Sequence, residues 1–190
     1  MVEENAPEEN KSEENMPGEF PPDRTHPAPG TAAKGAGQVS GNSGTSGIAS
    51  AIEQRIKALF DSAREEIFED GMENELSIGL TSLVNEYGND AIAVLSHFID
   101  HEETNEEIAS EAIRWLGRLD HQHSEEARLR LIERCLNSSP ARLRDAASVA
   151  LAYLDDPHAI PYLKQAVERE KYAELREDMA QVLAQLENLR

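Results

Sequence analysis

An apolar pattern that recurs along the chain limits its fold more than any other feature. Residues 143–155, LRDAASVALAYLD, set Leu143, Ala147, Ala150, Leu151 and Leu154 at helical spacing. The segment IASEAIRWLGRLD, 35 residues earlier, repeats this with Ile108, Ala112, Trp115, Leu116 and Leu119. The segment LREDMAQVLAQLE, 32 residues later, does so with Leu175, Met179, Val182, Leu183 and Leu186. Leu76, Leu80, Leu83, Val84 and Tyr87 supply a fourth copy, ended by Gly88, so the copies close on Tyr87, Leu119, Leu154 and Leu186 at spacings of 32, 35 and 32. A pair of helices about 32 residues long cannot bury both apolar faces by itself. Stacking such pairs buries a continuous core, and about three are needed for stability.

A second amphipathic stretch follows each of the first three copies. Ala-Ile-x-x-Leu opens two of them, at Ala91 to Leu95 and Ala159 to Leu163. In the middle copy Leu129, Ile132, Cys135 and Leu136 form the apolar face after a longer loop, HQHSEE, and the register there is open by one residue. Ser139-Pro140 and Asp156-Pro157 read as capping side chains before a helical proline, and Thr104 with Glu107 has capping-box spacing. Before the repeats, Ser50 and Glu53 predict the start of a helix, and Ile52, Ile56, Leu59, Phe60, Ala63 and Ile67 form its stripe until Gly71. Nothing alternates with period two for long enough to make a sheet, so the body is all-α.

The run RDAASVALAYLDDPHAIPYLKQAV, Arg144 to Val167, resembles a HEAT-like repeat of the short bacterial type, similar to repeats of phycobilin lyases. The resemblance covers about residues 74–188 as three pairs and a final half. It implies a short right-handed α-solenoid of HEAT-like helical pairs, with the second helices lining the concave side. It also implies that Arg144, with Asp155 or Asp156, helps hold neighbouring units in place. Arg176 repeats the arginine, whereas Ala109 and Ser77 do not. Hydroxylases of this kind carry His-Glu pairs for iron, but Arg144-Asp145 and Ala109-Ser110 stand at the matching positions.

Composition divides the chain. Residues 1–47 hold 10 of its 74 apolar residues and 13 of its 20 Gly and Pro, too little apolar surface to offset the entropy of ordering. They read as a disordered tail, acidic at first and then Gly/Ser-rich: a solvated leader, a recognition motif or a self-masking arm. Residues 48–72 read as an N-terminal capping helix and 73–190 as the repeats. The last helix has no second partner in the chain, and its polar outer face suggests a C-terminal cap rather than a dimer surface.

No catalytic, cofactor or metal site is expected. His97 and His101 share a helix face, but no further ligand is set by spacing, so exposed histidines are the simpler reading. The single Cys135 sits on an apolar face, as a buried small hydrophobe rather than a reactive thiol, and Trp115 matches a core position rather than a stacking platform. No apolar run reaches the roughly 20 residues that cross a bilayer, and no signal-peptide core follows Met1, so the expected location is cytoplasmic.

Charge is polarised. The chain carries a net -19; residues 48–111 have 16 acids against 3 bases, whereas 112–190 have 13 against 12. Seven arginines fall within 114–144. They are either solvated helix-pair charges or part of a binding surface. In the second case the outward positions of the second helices, Ser96 and His97, then Arg130 and Arg134, then Lys164 and Gln165, form a mixed, locally basic stripe suited to carboxylates. The expected role is a non-enzymatic scaffold or adaptor, more readily monomer than homodimer, for a protein with an acidic or mixed-charge surface. The alternatives are a bilin lyase or chromophore chaperone and a nucleic-acid binder; the overall charge disfavours the last.

Overall fold

The computed structural model describes residues 43–69, 71–101 and 104–188. Within them 82 % are helical and none lies in a strand, so the architecture is all-α. The helices are α1 (Ser43–Ser62), α2 (Glu75–Tyr87), α3 (Asn89–Asp100), α4 (Glu106–Arg118), α5 (Glu125–Cys135), α6 (Ala141–Leu154), α7 (Ile160–Arg169) and α8 (Ala173–Asn188). All belong to the unit Val39–Arg190; the unit Met1–Gln38, and with it most of the expected tail, lies outside the described residues.

The repeats appear as α2/α3, α4/α5 and α6/α7, with α8 as the final half. First helices pack on first helices, α2 on α4, α4 on α6 and α6 on α8, while α3 packs on α5. The recurring apolar positions make the core: Leu80, Leu116, Leu151 and Met179 are each at most 1 % exposed. In α5, Leu129, Ile132, Cys135 and Leu136 are all buried and Leu131 joins them, which widens the apolar face by one side chain. Trp115 is partly buried against the core, and its Nε1 donates to Thr81 Oγ1 at 2.8 Å, so it links α4 to α2.

α4 and α6 make the most extensive helix contact. A Cβ on Gly117 would stand 2.5 Å from both Cα and O of Ala150, so the two backbones meet with no room for a methyl group. Ser110, two turns before Gly117 on the same face, is fully buried as well. Small side chains here let the helices approach.

α1 packs on both α2 and α3. It departs from the sequence expectation at each end. It starts at Ser43 rather than at Ser50, so Ser43–Gly47 belong to the helix and not to the linker. The first buried residue is nonetheless Ile52, and Gly47–Ala51 lie exposed. At the other end α1 stops at Ser62, passes through one 3-10 turn at Ala63–Glu65, and becomes extended at Glu66. Ile67, expected on the apolar stripe, is 89 % exposed, and Phe68 takes its place against the core. Glu65, Glu66 and Glu69 follow at this end, and carboxylates are unfavourable against the dipole at a helix C-terminus. Gly71, at φ 79°, turns the chain beyond the helix instead of ending it.

Two further capping expectations change and a third holds. Asn105, not Thr104, caps α4 by accepting from Glu107 N at 2.8 Å, while the Thr104 hydroxyl donates to Phe98 O. Pro140 is itself the residue before α6, and no side chain caps that helix. Asp156 behaves as expected, accepting from His158 N at 2.9 Å around Pro157.

Candidate protein-binding surface

The second helices bury one face each and turn long polar side chains outward on the other. In α3 the buried set is Ala91, Ile92, Leu95 and Ile99, which leaves His97 exposed. In α5, Glu126, Arg130 and Arg134 follow at i, i+4 and i+8 on the solvent side. In α7, Ile160, Leu163 and Ala166 face inward while Lys164 and Gln165 face out. His97, Arg130, Arg134, Lys164 and Gln165 are therefore exposed and Ser96 is half-buried, yet they do not form a run of unpaired cations.

Arg130 pairs with Glu126 one turn away. Arg134 donates to Ser96 Oγ and lies 3.8 Å from Asp100, tying α5 to α3 beside His97. Lys164 pairs with Glu187 of α8 at 2.7 Å, and the Gln165 carbonyl accepts from Arg169 Nε at 3.0 Å. Among the described residues no hydrogen bond or ion pair joins Arg130 or Arg134 to Lys164 or Gln165, so the stripe has an α3–α5 part and an α7–α8 part. His97 stacks edge-on with His101 at 4.0 Å between centroids. Their rings rim a recess of about 240 Å³ that Phe60, Phe98 and Ile108 also line. Among the described residues no group of three or more His, Cys, Asp or Glu is arranged to hold a metal ion. Burial pushes the Cys135 thiol up to about 12, which leaves it protonated and unreactive.

The seven clustered arginines are dispersed, and most serve the fold. Arg114 reaches Asp145 of α6 at 2.9 Å, and Arg142 reaches back to Glu107 of α4 at 3.0 Å. Arg118 lies 4.5 Å from the Tyr153 ring centroid and donates to its hydroxyl. Arg128 is 3 % exposed and was not legible as a core residue. Its guanidinium donates to Leu116 O at 2.6 Å, His121 O at 3.2 Å and Ser124 Oγ at 3.2 Å. It thereby satisfies a carbonyl near the end of α4 and fixes the following loop. Loss of solvent pulls its pKa below the ordinary arginine value.

Arg144 does not bond Asp155 or Asp156; it reaches Glu170 at the end of α7, within its own unit. It forms a two-pronged pair with Glu170 at 2.7 and 3.1 Å and donates to the Ser138 and Ser139 carbonyls. This pairing holds the Glu170 carboxyl down to about 2. Arg176 donates to the Glu170 carbonyl at 3.2 Å, while Asp155, in the left-handed region at φ 55°, accepts from Gln185 of α8.

Helix pairs of this length, stacked first helix on first helix, define a class of repeat protein. Residues 92–184 match the family model of HEAT repeats, so this part of the chain is built of HEAT-like repeats. The match begins inside α3 and ends inside α8, and it does not carry the further likeness to bilin lyases. No curated protein and no solved structure matches the chain significantly. Proteins built from HEAT repeats are commonly protein-interaction scaffolds. Among the described residues no helix is long and apolar enough to cross a membrane.

Proposed function

We propose that this chain is a non-enzymatic scaffold or adaptor, working in the cytoplasm as a monomer. It grips a protein with an acidic or mixed-charge surface through His97, Arg130, Arg134, Lys164 and Gln165. The observation that carries the reading is the kind of contact these side chains make. Arg130, Arg134 and Lys164 are 69 %, 52 % and 53 % exposed, and the carboxylates they pair with, Glu126, Asp100 and Glu187, are exposed as well. Exposed pairs contribute little, about 0–1 kcal/mol, so a partner's carboxylates can replace Glu126, Asp100 or Glu187 at small cost. Arginine adds two-pronged geometry to that exchange.

The test uses the full chain as bait beside its Arg130→Ala/Arg134→Ala form. Each captured protein is identified and titrated singly by calorimetry. A partner whose affinity falls at least about tenfold in the double variant supports the site. If every partner binds the two forms alike, the site is wrong.

A further inference from the structure

Seven large apolar residues are exposed among the described ones: Ile48, Ile67, Met72, Ile78, Tyr153, Tyr162 and Tyr172. The tyrosines offer a hydroxyl to water, and a lone exposed aliphatic side chain is ordinary. Ile67, Met72 and Ile78 are not scattered. They fall within the α1–α2 connection and the first turn of α2, at 89 %, 59 % and 58 % exposure.

Local structure holds them outward. Phe68 anchors the connection on the core, so its neighbour Ile67 points away. A turn follows, with Met72 N donating to Glu69 O at 3.1 Å. Asn74 and Ser77 then form a reciprocal capping box that fixes the phase of α2. In that phase Leu76 and Leu80 face inward, and Glu75, Ile78 and Ser82 face solvent at i, i+3 and i+7. The exposure is thus set by anchors on both sides and not by fraying.

The exposed charge next to these side chains in the sequence is mostly acidic, with Arg64 just before it and Arg114 and Arg142 in the recess that Phe68 lines. Residues 65–113 contain 14 acidic residues and no Lys or Arg. Glu65, Glu69, Glu73 and Glu75 are exposed, and among the described residues nothing pairs with their carboxylates. Exposed apolar side chains among carboxylates suit a protein-binding site, and a mainly acidic surround favours a basic partner.

We propose that Ile67, Met72 and Ile78, with their acidic rim, dock a basic amphipathic segment of a partner protein, whose apolar side chains are flanked by Lys or Arg. Charge complementarity selects this occupant. The chain's own residues 1–23 carry eight acids against one lysine, and a second copy presents the same acidic rim. This surface is separate from the second-helix residues and stands or falls without them.

The experiment titrates isotope-labelled full chain with a synthetic peptide of about eighteen residues, Lys and Leu patterned at i, i+3 and i+4. A control peptide of the same composition has its leucines spread around the helix. Amide shifts are expected to concentrate on residues 65–78. Affinity is expected to be about tenfold weaker for the control peptide, and for Ile67→Ser/Met72→Ser/Ile78→Ser, which keeps every charge. Glu69→Gln/Glu73→Gln weakens binding at low salt, whereas Glu174→Gln/Glu177→Gln on α8 leaves it unchanged. The proposal is overturned if the triple serine variant binds like the parent or if the shifts fall elsewhere. It is equally overturned if a peptide of residues 1–23 displaces the probe, or if sedimentation shows a second copy of the chain on this face.

Discussion

The α4–α6 contact and the α3–α5–α7 side belong to the same helical pairs but are held together differently. At the first, Gly117 lets one backbone rest on another, and the half-buried Arg114 pairs with Asp145 across the crossing. On the second, the outward links are single exposed pairs such as Arg130 with Glu126 and Lys164 with Glu187. Close backbone packing cannot be rebuilt around a visitor, whereas exposed ion pairs can be exchanged. The stack therefore separates a rigid layer from an exchangeable one.

The sharpest way to break that contrast is Gly117→Ala. In an open helix this change stabilises by about 1 kcal/mol, because alanine is the better helix former. Here the added Cβ meets the Ala150 backbone, and a loss of about 3 kcal/mol is expected from overpacking. A melting temperature equal to or above the parent's would show that the layer yields. Arg128→Met follows in size. It leaves the Leu116 and His121 carbonyls without their donor, and about 2–3 kcal/mol should be lost in urea unfolding.

The Arg144–Glu170 link brings pH into the comparison. Glu170 is lowered to about 2 in the fold from an ordinary 4.5, so its contribution is full above the unfolded value and lost as pH falls from about 4.5 towards 2. Glu170→Gln should cost about 2 kcal/mol at neutral pH and flatten the stability profile across that window. A variant as acid-sensitive as the parent would place the sensitivity elsewhere. The smallest effect belongs to the exchangeable layer: Arg130→Ala should change stability by less than about 0.5 kcal/mol. A larger loss would mean that this face is part of the frame.

The repeat was legible because leucine and alanine spacing records burial directly, as in α6, where Leu143, Ala147, Ala150 and Leu151 are all buried. What escaped depends on groups distant in sequence. Arg128 looks like any solvated arginine until the end of α4 and its loop bring carbonyls to it. The length of the HQHSEE loop was the one hint, since its backbone needed donors. Ile67 fits the α1 stripe by spacing, and only the acidic run after Asp61 signalled that the helix would stop. The stripe on the second helices was legible as positions, Ser96 included, but the pairing of its cations with Ser96, Asp100 and Glu187 was not, because pairing across helices is fixed by packing.

The central claim is that partners engage the exchangeable layer of the repeats. A photo-crosslinking residue placed singly at His97, Arg130 or Lys164, and at Glu107 or Tyr153 on the first helices, tests it in whole-cell lysate. The account predicts one shared adduct from the three second-helix positions and none from Glu107 or Tyr153. The same adduct arising from Glu107 or Tyr153 instead would contradict it.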